Sequence, residues 1–194
     1  IVLTGGMGRR KQAAAIDRLG ASSGNHRRVV LATGRFIGEG FDDPRLDLFI
    51  GDGFAFVRET TEQFDLIVLD LTDPGGPSLE LYTPAFYRAC ASRLTSLGAM
   101  ALHIASPIAH PDRIRQTLVS LRSAFSIVTP YLTSVPLYGG MWMMACCSAT
   151  LDPRKLSAPE IDRRISQRGI TDLQYYNGEM HRAALAMPNF VRAL

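Results

Sequence analysis

The amino-acid sequence predicts an α/β protein: a mainly parallel sheet with helices on both faces and an antiparallel strand pair at its C-terminal edge. Three observations lead there. Apolar runs of strand length alternate with stretches of helical character along the chain, the pattern of a parallel sheet with right-handed crossovers. Phe64–Leu71 (FDLIVLDL) is almost continuously apolar, as in a strand covered on both faces. Phe125–Leu132 and Met141–Ser148 lie close enough in the chain to pair antiparallel.

The elements follow in order. Ile1–Thr4 reads as a short strand and Gly5–Gly8 as a turn. Arg9–Leu19 has good helix formers with Ala13, Ile16 and Leu19 at helical spacing. Ala21–His26 is a polar loop, Arg28–Thr33 a strand, and Gly34–Pro44 a glycine-rich irregular stretch. Leu46–Ile50 is a further strand and Gly53–Thr60 a helix. After Phe64–Leu71 comes an amphipathic helix over Leu79–Leu94, a strand at Ala99–Ile104 and a helix over Pro111–Ala124. Helical stretches are expected within Pro159–Gln167 and Glu179–Leu194. In such a fold ligands bind beyond the C-terminal ends of the strands. The residues just after Ile50, Leu69 and Leu102 are therefore the ones to inspect.

Composition narrows the function classes. With 194 residues, 46% hydrophobic and 20% charged, the chain can bury a sizeable core and is not a disordered segment. The net charge of +3 is spread out. Arg27-Arg28 and Arg163-Arg164 are pairs rather than tracts, which argues against a nucleic-acid-binding face. The three cysteines, Cys90, Cys146 and Cys147, form no CxxC pair, so neither a zinc site nor a redox motif is expected. They read as small buried hydrophobes in a reducing compartment. No apolar run approaches the roughly 18 residues of a membrane helix, and Ile1–Thr4 is too short for a signal core.

Three segments fall at the predicted ligand edge: Gly51-Asp52-Gly53-Phe54, Asp70 to Pro77 (DLTDPGGP), and His103 to Pro107. Asp70 closes a strongly apolar strand, and an acid there needs a partner or a purpose. Asp73 stands three residues on. Two carboxylates at the mouth of an apolar sheet would make an acidic pocket suited to cationic substrates, with one carboxylate able to accept a proton. Asp73 could equally start the turn at Pro74. Spacing favours Asp52 as the cap of the helix beginning at Gly53, although it could also accept a hydrogen bond from a ligand amino group. A lone histidine such as His103 is more often structural than catalytic. Tyr138, in the glycine-flanked loop PLYGG, could wall a pocket or pack on the surface.

Taken in order, Gly51–Phe54, FDLIVLD, DLTDPGGP, LYTPAFY, Ser106-Pro107, VPLYGGMW and LQYYNGEMHRAALAMPNFV resemble the signature of spermidine synthases over residues 48–194. The D-x-T-D-P-x-G-P string is specific; the GDG alone is weak. The resemblance implies a Rossmann-like methyltransferase-type fold. It also implies a polyamine aminopropyltransferase, moving an aminopropyl group from decarboxylated S-adenosylmethionine to putrescine or a related diamine. On that resemblance Asp70 is the catalytic base and Asp73 holds the cationic amines. Tyr138 lines the diamine channel, and Asp52 with Gly53 contacts the nucleoside. His103 stands where many members have glutamine and would make a polar contact to the substrate amine. No metal is implied, decarboxylated S-adenosylmethionine being a co-substrate. A homodimer in the cytoplasm is implied as well.

The signature is incomplete. The family's GGGDG or GGGEG loop and the ribose-binding acid after the second strand are missing; Gly5–Gly8 is GGMG, and Thr33-Gly34 ends the second strand. Residues 1–47 instead resemble part of a superfamily 2 helicase C-terminal domain, through IVLTGGMGRRKQAAAIDRL and VVLATGRFIGEGFDDPRLD. No Walker A sequence accompanies them. The expectation is a helicase-like strand–helix–strand segment over residues 1–47, grafted onto a catalytic portion over 48–194 whose activity is impaired. The competing readings are a non-catalytic remnant of the same fold and, on the N-terminal segment, a nucleic-acid-associated helicase fragment.

Overall fold

The computed structural model describes residues 52–71, 74 and 76–194. The elements expected at Ile1–Thr4, Arg9–Leu19, Arg28–Thr33 and Leu46–Ile50 lie outside them. The described chain runs α1 (Gly53–Glu59), β1 (Phe64–Leu69), α2 (Pro84–Ser92), β2 (Leu94–Ala105), α3 (Pro111–Arg122), β3 (Ile127–Val135), β4 (Gly140–Ser148), α4 (Ala158–Gln167), α5 (Gly178–Leu185) and α6 (Asn189–Arg192). Short 3-10 turns occupy Gly76–Tyr82, Pro136–Tyr138 and Pro153–Lys155. The sheet has the order β1-β2-β4-β3. β1 and β2 are parallel, whereas β4 is antiparallel to both β2 and β3. This is an α/β architecture, and the expected late antiparallel pair forms its edge. Within the described residues the sheet is mixed, with one parallel pairing.

Alternation fixes which side chains face the core. Met100, Leu102 and Ile104 of β2 and Met143, Ala145 and Cys147 of β4 are buried. They join Phe86, Tyr87 and Cys90 of α2 and Ile114, Leu118 and Leu121 of α3 in one cluster. The α3 set repeats at four and three residues, one stripe of a helix. β1 departs from the expectation of a strand covered on both faces. Ile67 and Leu69 are buried, but Leu66 is 56% and Val68 42% exposed. Successive side chains of a strand point to opposite faces, and only one face of β1 is covered by described elements. The cysteines are free, Cys90 and Cys147 buried and Cys146 half-buried. Burial pushes the Cys90 and Cys147 thiols up to about 12, which keeps them unreactive.

Two expected boundaries move furthest. The helix expected over Leu79–Leu94 divides into the 3-10 turn at Gly76–Tyr82 and α2. Thr83 makes the division: its hydroxyl oxygen accepts from the Phe86 N–H at 3.3 Å, and Pro84 stands in the first turn. An N-cap is extended rather than helical, and proline suits the turn that follows it. β2 begins at Leu94 rather than Ala99, but its regular pairing with β1 starts only at Leu66↔Ala99, after an irregularity. Gly98 lies in this lead-in, where a Cβ would come within 2.8 Å of the Phe64 carbonyl oxygen. β3 contains Pro130, tolerable because β3 is the sheet's edge in the described residues and needs no second donor row.

Ser148, fully buried at the end of β4, closes this corner. Its hydroxyl donates to the Gly98 carbonyl at 2.7 Å and accepts from the N–H groups of Thr150 and Leu151 at 3.2 and 3.0 Å. Ser148→Ala leaves the buried Gly98 carbonyl without this donor and is expected to cost about 1–3 kcal/mol. Urea unfolding checks this as a lower midpoint with unchanged slope; an unchanged midpoint refutes it.

Candidate active site

The C-terminal ends of β1 and β2 and the turn between β3 and β4 meet at one edge of the sheet. Leu69 pairs with Leu102, so Asp70 and His103 are the next residues on neighbouring parallel strands. Ala105 pairs with Met143 near the start of β4, and Val135 pairs with Gly140. The Pro136–Tyr138 turn therefore opens on the same edge. Of the residues singled out by sequence, Asp70, His103 and Tyr138 are brought to this edge. Asp73 and Gly51 lie outside the described residues.

Asp70 follows β1 directly and is exposed. The β1 run explains the placement: an apolar strand buries its own residues and releases the first charged one at its end. His103 is half-buried near the end of β2 and meets the backbone of the loop after β1, with Nε2 2.5 Å from the Leu71 carbonyl oxygen. The carbonyl can only accept, so Nε2 carries the proton and donates. The other ring nitrogen, Nδ1, is buried without a hydrogen-bond partner among the described residues.

Tyr138 is 54% exposed, and its ring centroid lies 4.8 Å from that of Trp142, with planes tilted by 50°. Gly139 and Gly140 follow with φ of 82° and 123°, left-handed conformations that a side chain would strain. The two glycines turn the chain sharply enough for Tyr138 to reach back onto Trp142. The indole N–H of Trp142 is buried and has no hydrogen-bond partner among the described residues. Trp142 was not singled out from the sequence; the available signal was that it is the single tryptophan and follows the glycine pair.

Asp52 is the N-cap of α1, its carboxylate accepting from the Ala55 N–H at 2.7 Å. The spacing argument for a cap is met, and Gly53 opens the helix. Arg93 serves the other end of α1, donating to the carbonyls of Val57 and Arg58 at 3.0 and 2.9 Å. The Ser106-Pro107 step after β2 forms a turn in which the Ser106 hydroxyl accepts from the Ala109 N–H at 3.3 Å. Among the described residues no group of three or more His, Cys, Asp or Glu could hold a metal ion, and no helix is long and apolar enough to cross a membrane.

A parallel strand pair, an antiparallel C-terminal hairpin and an acid released at the end of the first described strand define a Rossmann-like fold of the methyltransferase type. Consistent with this, human methyltransferase-like protein 13, solved in complex with SAH, has a similar fold (TM-score 0.50, 19% identity, 70% of this chain and 64% of that one). The chain belongs to the spermine/spermidine synthase family: the spermine/spermidine synthase domain matches residues 30–155. It is 52% identical over 154 residues to a polyamine aminopropyltransferase of Nitrosomonas europaea, covering 79% of this chain and 47% of that protein. A polyamine aminopropyltransferase of Sulfolobus acidocaldarius is 37% identical, with 78% and 51% covered. Spermidine synthase from Thermotoga maritima superposes with a TM-score of 0.68 at 32% identity, covering 79% and 51%. A spermidine synthase in complex with the transition-state analogue AdoDATO gives 0.70 at 33%, covering 79% and 52%. The chain thus spans about half the length of the curated relatives it matches. The family match begins at residue 30, inside the stretch 1–47 with helicase-like resemblance, and the comparisons give that resemblance no support.

Proposed function

We propose that this chain carries the catalytic portion of a polyamine aminopropyltransferase. The supporting observation is that strand pairing places Asp70, His103 and the Tyr138 turn along one edge of the sheet in a chain of this family. The donor, decarboxylated S-adenosylmethionine, is a sulfonium cation, and the acceptor is a diamine such as putrescine. At neutral pH the amine, with a pKa of about 10, is mostly protonated and has no lone pair to attack with. A carboxylate beside it orients it and takes the proton. The freed nitrogen attacks the carbon next to sulfur; the N–C bond forms as the C–S bond breaks. Methylthioadenosine leaves as a neutral thioether, the new secondary amine stays protonated, and the proton held by the carboxylate is released to solvent.

In this reading Asp70 is the base and Asp73 holds the ammonium groups. Tyr138, backed by Trp142, walls the diamine channel. The polar contact to the substrate amine that the resemblance gives His103 is not part of this reading, because its Nε2 is held by the Leu71 carbonyl and its Nδ1 is buried. Asp52 contacts the adenine amino group through the carboxylate capacity its cap leaves over, at Gly53. In this reading Gly5–Gly8 and Thr33-Gly34 stand in place of the family's glycine loop and ribose acid and weaken nucleoside binding, giving an impaired enzyme. The reading includes a homodimer, a cytoplasmic location and a domain boundary at residue 47. Sequencing the source locus from Gly34 to Gly53 tests that boundary.

The direct test is incubation with decarboxylated S-adenosylmethionine and putrescine, following methylthioadenosine and spermidine together. Equimolar appearance of both above the protein-free rate is expected. No turnover, with no thermal shift from millimolar methylthioadenosine, would leave a non-catalytic remnant of the fold.

A further inference from the structure

Resting on the reading of Asp70 as the base, we infer that His103 is a positioning residue. Through Nε2–H and the Leu71 carbonyl, it ties the segment carrying Asp70 to β2. Three observations carry this. The contact is short, 2.5 Å, and joins residues 32 apart in sequence, so it fixes the loop after β1 to a different strand. It is made by the residue adjoining a break in pairing: His103 faces Met144 and Ala105 faces Met143, one extra residue on β2. A bulge of this kind bends a strand and re-aims a side chain, and bulges occur next to active sites. Finally, the ring's state is set by its surroundings. Leu71 O can only accept, so Nε2 carries a hydrogen, while Nδ1 is buried with no hydrogen-bond partner among the described residues.

Leu71 is the residue immediately after Asp70, and its side chain packs against the core. Side-chain packing and carbonyl clamp together leave the Asp70 backbone little freedom, although its carboxylate is exposed. Displacing a reacting group by about 1 Å can cost on the order of a hundredfold in rate. His103 acts through the placement of Asp70, so its loss appears in kcat more than in the KM for the diamine. A glutamine at this position also carries a side-chain N–H donor and can restore the clamp; phenylalanine keeps a ring of similar volume and removes both nitrogens.

The test compares wild type with His103→Phe and His103→Gln in two measurements. Nitrogen NMR of the histidine rings reports the tautomer, and amide hydrogen exchange reports the freedom of Asp70 and Leu71; neither requires turnover. Expected are the Nε2–H form in the wild type, faster exchange at Leu71 in His103→Phe, and recovery in His103→Gln. The kinetic counterpart is a loss of about tenfold to a hundredfold in kcat in His103→Phe with a smaller change in KM. The Nδ1–H form, or exchange at Leu71 unaltered by His103→Phe, overturns the inference. Wild-type protein without turnover refutes the proposed function instead, and the NMR and exchange results still decide the clamp.

Discussion

Asp70→Asn is expected to lower kcat for aminopropyl transfer by about 10²–10⁴-fold, the usual contribution of a positioned general base. The substitution conserves shape. The amide can still receive a hydrogen bond from an ammonium, but it cannot take the proton, and it offers no negative charge beside two cationic reactants. The change should spare the fold, because Asp70 is exposed at the end of β1. The KM for the diamine should rise less than kcat falls if Asp73 supplies most of the ammonium binding. Steady-state release of methylthioadenosine from both proteins checks this, with unfolding midpoints as a control. A rate within twofold of wild type would remove Asp70 from the mechanism.

Gly178→Ala should have the largest effect on stability, about 3 kcal/mol or more. Gly178 opens α5 against the start of α4, and a Cβ there would lie 2.2 Å from the Ala158 carbonyl oxygen and 2.7 Å from its carbonyl carbon. These are backbone atoms, so no side chain can swing aside. The Gly178 N–H also donates to the Asp162 carboxylate at 2.7 Å, a bond that would lengthen as α5 backs away. His181, one turn along, places its Nδ1 2.8 Å from the Tyr176 hydroxyl and its Nε2 2.9 Å from the Pro153 carbonyl, so the retreat would strain those contacts too. For a chain of this size the loss corresponds to a fall in Tm on the order of 10 °C. Calorimetry of the two proteins checks it. A shift below about 2 °C would show that the α4–α5 contact yields readily.

The role of Gly178 could not be read from the chain: a glycine at the start of a helix looks the same whether its missing side chain faces water or another backbone. The same limit explains the other departures. The helical character of Leu79–Leu94 was real, but Thr83 and Pro84 cap and restart the chain within it. A capping bond between neighbouring residues outweighed the longer period. FDLIVLDL has the composition of a strand covered on both faces, yet coverage depends on which elements arrive, and the described ones cover one.

The sequence by itself determined the alternation of strands and helices, the antiparallel hairpin at the end, the cap at Asp52 and the emergence of an acid at the end of β1. These depend on neighbours a few residues apart: periodicity, turn chemistry and the first charge after an apolar run. The ordered motifs from Gly51 to the C-terminus also carried the family. Only the tertiary structure decided that β4 lies between β2 and β3, bringing the Tyr138 turn to the strand ends. It alone set Trp142 behind Tyr138 and joined His103 to the carbonyl of Leu71. Strand order and long-range contacts are chosen by which faces can be buried together. Every residue carries a carbonyl, so nothing in the sequence marks the one that a histidine 32 positions away will hold.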